Sequence, residues 1–253
     1  MGQFAGTLLR QGFEGQRKWP YNGRDMAPPI LFIAALGGIL PALLWLAFWL
    51  MEDRCEPEPK RYLIMTFAAG ALAVFVALKI EQNAALYFTG TPLLFVWAAT
   101  EEVLKFGAAY LVALRLRVFD EPIDAVVYMV TVALGFSAFE NMLFLLTPLQ
   151  NGDVLRTIVT GDLRFIGATL LHTLSSATVG IAMALSFYKK ASVRRMAALL
   201  GVILAIFLHT LFNFFILGSD GGATFWIFLF IWFGIVVMLF MTEEVKQPAR
   251  DYC

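Results

Sequence analysis

Cysteine and histidine are scarce in this chain of 253 residues, two of each, and charged residues make up only 15% of it. Each shortage removes a class of function. Cys55 lies in a charged loop and Cys253 at the terminus; they form neither a metal-ligand spacing nor a C-terminal prenylation box, so cysteine chemistry contributes nothing here. No HExxH zinc motif occurs. Long linkers and low-complexity tracts are missing too, and loops such as EDRCEPEPKR and RLRVFDEPI are short, which predicts one domain over residues 1–253. Lys and Arg balance Asp and Glu at 19 each, a neutrality that by itself excludes no partner; nucleic acid is not an expected one.

What the chain has in abundance is hydrocarbon. Hydrophobic residues are 60% of it and the mean hydropathy is +0.74, well above soluble domains. The expected fold is therefore an all-α polytopic bundle in a lipid bilayer. A span needs roughly 20 apolar residues to cross about 30 Å of hydrocarbon. Windows of that kind run 30–51, 62–81, 91–114, 124–147, 163–188, 197–218 and 222–241, so about seven transmembrane helices are expected. The first window is too long for a signal-peptide core and should persist as a helix. The tail before it, residues 1–29, intersperses Phe4, Leu8, Leu9 and Phe13 with basic residues; it reads either as a surface-lying amphipathic segment or as a flexible tail.

Basic residues set the expected orientation. The tail and even-numbered loops hold Arg10, Arg17, Lys18, Arg24, Arg156 and Arg164; the odd-numbered loops and C-terminus hold Arg54, Lys60, Arg61, Arg115, Arg117, Lys189, Lys190, Arg194, Arg195, Lys246 and Arg250. The excess favours an outside N-terminus and a cytoplasmic C-terminus, although the basic tail pulls the other way.

Ionisable residues inside spans are costly and usually mark function. Away from span edges the set is small: Glu101, Glu102 and Lys105 in the third span, Glu140 with Asn141 in the fourth, His172 with Ser175 and Ser176 in the fifth, and His209 with Asn213 in the sixth. Consecutive spans alternate in direction, so depth tests whether these residues meet. Measured from the face where the third and fifth spans begin, at 1.5 Å per residue, Glu101 lies about 15 Å deep, Glu140 about 10 Å, His172 and His209 about 13 Å and Asn213 about 8 Å. They share one layer. Spacings of three and four residues give each helix a polar stripe, and Glu101 to Lys105 is the favourable orientation for an ion pair. Lys105 is thus expected to neutralise one carboxylate and leave its neighbour free. Carboxylates, imidazoles and a carboxamide in one layer supply the two requirements of amide hydrolysis, a base for water and donors for an oxyanion.

These residues also carry a family resemblance. EEVLK (Glu101–Lys105), DAVVY at the start of the fourth span, GFSAFEN (Gly135–Asn141), the motif around His172 and HTLFN (His209–Asn213) together resemble the PrsW family. These membrane-embedded proteases share a superfamily with CAAX-processing endoproteases and bacteriocin-processing proteins. The resemblance covers the third to sixth spans, about half the chain. It implies a bacterial inner-membrane peptidase that cuts a membrane-anchored protein, in PrsW itself an anti-sigma factor cut on its extracytoplasmic side. Carried over by motif, it implies Glu101 or Glu102 as base, His172 as the partner of that base, and His209 with Asn213 at the oxyanion. The CAAX-type enzymes have a histidine where this chain has Glu140, so a metal site of His172, His209 and Glu140, of the kind zinc hydrolases use, also stays open.

Two other readings compete. Buried Glu, Lys and His residues also make the relays of proton- or ion-coupled transporters, but the chain lacks the inverted repeats and Gly/Pro-broken span pairs such proteins often show. A non-catalytic scaffold for partner helices has no need for two carboxylates beside a lysine.

Overall fold

The computed structural model describes residues 28–51, 57–218 and 224–246. The tail carrying Phe4, Leu8, Leu9 and Phe13, and both cysteines, lie outside the described residues. All the regular structure within them is helical: α1 (Pro28–Leu50), α2 (Lys60–Ala84), α3 (Gly90–Ala109), α4 (Pro122–Gln150), α5 (Val154–Leu163), α6 (Thr169–Leu185), α7 (Ala191–Gly218) and α8 (Thr224–Val245). A π-helical turn, Tyr110–Leu114, continues α3, and another, Arg164–Ala168, joins α5 to α6 into one unbroken span. Among the described residues, six spans are long and apolar enough to cross a membrane. The seventh, α3, carries Glu101, Glu102 and Lys105 in its interior. The expected helical membrane bundle is what forms.

The centre of the bundle is α4, buried along nearly its whole length, with α1, α2 and α6 packed around it. Its sequence is apolar on every side, as a helix surrounded by other helices requires. Glycines permit the closest approaches. A side chain at Gly70 of α2 would lie 2.1 Å from the Val132 carbonyl, and one at Gly135 of α4 would lie 2.0 Å from the Phe67 carbonyl. The two backbones therefore touch through reciprocal glycines, the small-residue contact that draws helices together in lipid. That contact fixes the depth of α4, and with it Glu140, one turn and a half further along.

The periphery is different. Helices α1, α7 and α8 turn large apolar side chains outward, including Phe32, Leu44, Phe207, Phe233 and Phe240, which suits a hydrocarbon surrounding. Helix boundaries differ from the sequence windows where charge misleads. The fifth span begins at Val154 rather than at residue 163, because the Asp153 side chain caps its N-terminus by accepting from the Arg156 amide at 2.9 Å. Arg164, apparently at the edge of the span, consequently lies inside it.

Candidate active site

Helix α3 turns Glu101, Glu102 and Lys105 into the bundle and leaves Val103 on its outer face. Lys105 Nζ donates to Glu102 Oε1 at 2.6 Å. The pair forms at a spacing of three, not between Glu101 and Lys105 at four. The ammonium is held there by a second contact across the bundle, 3.1 Å to His172 Nδ1 on α6. Glu102 Oε1 also accepts from Ser175 Oγ at 3.0 Å and meets His209 Nδ1 at 2.7 Å. One carboxylate oxygen thus ties three helices, α3, α6 and α7.

These contacts assign the imidazole protons. An ammonium only donates, so His172 Nδ1 accepts from Lys105, and its Nε2–H then donates to Glu140 Oε2 at 2.8 Å. Both nitrogens of His172 are engaged. His209 Nδ1–H donates to Glu102, which leaves its Nε2 pointing at Glu101 Oε2, 3.9 Å away. The two rings stand edge to face with centroids 5.1 Å apart.

Glu140 and Asn141 are held from behind. Arg164, 2% exposed on the π-helical turn, donates through Nη2 to Glu140 Oε2 at 2.6 Å and through Nε to Asn141 Oδ1 at 2.5 Å. Asn141 Nδ2 in turn donates to Thr169 Oγ1 at 2.9 Å. The guanidinium lies 3.8 Å from the Phe144 ring centroid, a cation–π contact. A π-turn is a common device at functional sites; this one brings a cation to Glu140 in the membrane interior.

Glu81 Oε1 and Glu102 Oε2 are buried without a hydrogen-bond partner, but neither residue lines the cavity beside the two imidazoles, whereas Glu101 does. Glu101 Oε2 is likewise buried with no hydrogen-bond partner; His172 Nδ1, at 3.8 Å, and His209 Nε2, at 3.9 Å, are beyond bonding length. The cavity measures about 20 Å³ and is lined by Glu101, Glu140, Arg164, His172, His209 and Asn213 and closed by the apolar Leu171, Phe212 and Phe228. A water needs roughly 10–15 Å³ measured this way, so there is room for about one. A second, apolar cavity of about 380 Å³ lies between α6, α7 and α8, and Leu171 and Phe212 line both.

The structure brings all six candidate residues into one cluster: Glu101, Glu140, His172, His209 and Asn213 around the cavity, and Glu102 immediately behind them. It regroups the metal candidates. The donor atoms that lie within 4.8 Å of one another belong to Glu101, His172 and His209. Glu140, which the sequence suggested as the third ligand, is committed instead to Arg164 and His172. Sequence reasoning missed Arg164, taken for a loop residue. The available signal was the absence of proline from residues 154–168, which lets a helix run through Arg164 into the fifth window.

Comparison with known proteins identifies the family. Residues 58–241 match the family model described as PrsW family intramembrane metalloprotease. Protease PrsW of Geobacillus kaustophilus (strain HTA426) is 29% identical over 198 residues, 75% of this chain and 82% of the relative. Protease PrsW of Shouchella clausii (strain KSM-K16) is 25% identical over 220 residues, 85% and 96% respectively, and that of Bacillus subtilis (strain 168) is 28% identical over 120 residues, 46% and 55%. No solved structure matches the chain. The match spans the four helices that build the polar cluster, and the chain belongs to the PrsW family of intramembrane metalloproteases.

Proposed function

We propose that the chain hydrolyses a peptide bond of a membrane-anchored protein with Glu101 as the base that activates water. The observation that carries this reading is the unpartnered Glu101 Oε2 facing a cavity the size of one water. A carboxylate oxygen that accepts from no protein donor has its lone pairs free to take a proton from a water in that cavity. Glu102, whose Oε1 is engaged by Lys105, Ser175 and His209, has the other task of holding His209 with its proton on Nδ1. Proton exchange at His209 is then confined to Nε2, and Glu102 steadies the imidazolium when Nε2 is protonated. That Nε2–H and the Asn213 carboxamide, one turn further along α7, supply the donors for the tetrahedral oxyanion. His172, with both nitrogens engaged, is a positioning residue that links Lys105 to Glu140.

The family description includes a metal, and the residues present fit one. Glu101 Oε2 has no hydrogen-bond partner, His209 Nε2 is free with its other nitrogen braced by a carboxylate, the usual support behind a metal-bound histidine, and a His172 ring nitrogen lies within 4.8 Å of both. Glu101, His172 and His209 would hold such an ion, which would supply Lewis-acid polarisation of the scissile carbonyl. An anti-sigma factor is the substrate the family resemblance implies, and the basic-residue bias puts the site layer toward the extracytoplasmic face with the C-terminus in the cytoplasm. The transporter and scaffold readings lose their ground to the peptidase family.

The test uses the full chain purified in detergent with a panel of single-span substrates, comparing wild type with Glu101→Gln and His209→Ala, each with and without chelator. Cleavage by wild type that both variants lose supports the reading; Glu101→Gln cleaving like wild type overturns it. Loss on chelation with recovery on added zinc assigns the metal.

A further inference from the structure

A third cavity between the helices lies away from the polar cluster. It measures about 630 Å³, within the roughly 300–1,000 Å³ of ligand pockets. It opens where α3 and α6 end and α7 begins, the opposite end of α7 from His209 and Asn213. Its walls are apolar and aromatic: Val103 and Phe106 of α3, Tyr110 of the π-turn, Phe187, and Leu199 and Val202 of α7. At its mouth stand two arginines, Arg194 and Arg195, both exposed. Neither guanidinium has an acidic or hydrogen-bonding side-chain partner among the described residues, whereas Arg164 has two.

The combination is specific. Each of these unpaired guanidinia carries a fork of donors matched to phosphate oxygens, both line the same cleft, and they occupy the first turns of α7, where the helix dipole favours an anion. A free phosphate has no use for the deep apolar walls, and a neutral lipid has no use for the arginines. Basic pockets between transmembrane helices are where anionic headgroups dock.

We propose that this cleft is a binding site for one anionic glycerophospholipid, its phosphate on Arg194 and Arg195 and an acyl chain along Val103, Phe106 and Val202. The site is independent of the proteolytic reading. It bears on it through α3, since Val103 and Phe106 sit on the outer face of the helix whose inner face carries Glu101, Glu102 and Lys105.

The test is retention of lipid by the full-length protein, delipidated in detergent and titrated with phosphatidylglycerol or phosphatidylcholine, read by native mass spectrometry and by the shift in thermal unfolding. Wild type is expected to hold one phosphatidylglycerol at least 10-fold more tightly than phosphatidylcholine. Arg194→Gln with Arg195→Gln, both exposed and harmless to folding, should erase that preference. Ala198→Trp, which fills the cleft while leaving the charges, should weaken both lipids. Lys189→Gln with Lys190→Gln, adjacent basic residues that do not line the cleft, is the control for diffuse surface charge and should leave the preference in place. Equal binding of the two lipids by wild type, phosphatidylglycerol binding that survives the arginine substitutions, or an equal loss from the lysine pair would each overturn the proposal.

Discussion

Glu101 and Glu102 are adjacent, on one helix, and both buried, yet their surroundings are opposite. Glu102 touches an ammonium, an imidazole and a hydroxyl through one oxygen; Glu101 Oε2 touches nothing and looks into a cavity. The same division runs through the cluster. Lys105, Ser175, Glu140, Asn141 and Arg164 form a network with its donors matched to acceptors, while Glu101, His209 Nε2 and Asn213 face open space. A matched buried network holds geometry, and an unmatched group beside a water-sized space is where chemistry is available. The pair teaches that burial alone does not assign a role; the partners do.

The largest break in this comparison is Glu101→Gln. Losing the base should lower cleavage by about 10²–10⁴-fold with no loss of folded stability, since the amide removes an uncompensated charge and breaks no hydrogen bond at Oε2. Asn213→Ala, from the same open half, should cost about 10²–10³-fold in kcat, the usual effect of removing an oxyanion donor, again with stability retained. Both are read by cleavage rate alongside thermal unfolding in detergent.

The fixed half should respond in the other currency. Arg164→Met leaves Glu140 charged, buried and bonded only to His172, and a buried pair broken on one side costs about 3–5 kcal/mol; unfolding should shift strongly, with cleavage lost as a consequence. The companion Glu140→Gln, placed on top of Arg164→Met, should recover much of that stability, because the orphaned charge is then gone. The smallest contrast lies between two neighbouring hydroxyls. Ser175→Ala removes a bond to Glu102 and should cost about 1 kcal/mol. Ser176 Oγ, buried without a partner, should be replaceable by alanine at no cost.

How legible all this was from sequence depends on the kind of information each part needs. The helical class and the shared depth of Glu101, Glu140, His172, His209 and Asn213 follow from hydropathy and a rise of 1.5 Å per residue, so one-dimensional arithmetic suffices. Which glutamate stays free does not. Helical spacing favoured Glu101 for Lys105, but His172 and His209 on other helices decided the matter, drawing Lys105 and Glu102 together. Arg164 was hidden for a similar reason. A charge near a span boundary reads as a loop residue until the Asp153 cap and the π-turn carry the helix past it. The residues grouped closely enough to hold a metal are Glu101, His172 and His209 rather than a set with Glu140, because Glu140 is bonded to Arg164.

The claim on which the account rests is that the open carboxylate is the base and the tied one is the brace. The direct test measures cleavage and thermal unfolding together for Glu101→Gln and Glu102→Gln. The account predicts that Glu101→Gln unfolds like wild type and does not cleave, whereas Glu102→Gln is destabilised as well as impaired. Wild-type cleavage by Glu101→Gln, or destabilisation by Glu101→Gln with Glu102→Gln unaffected, would contradict it.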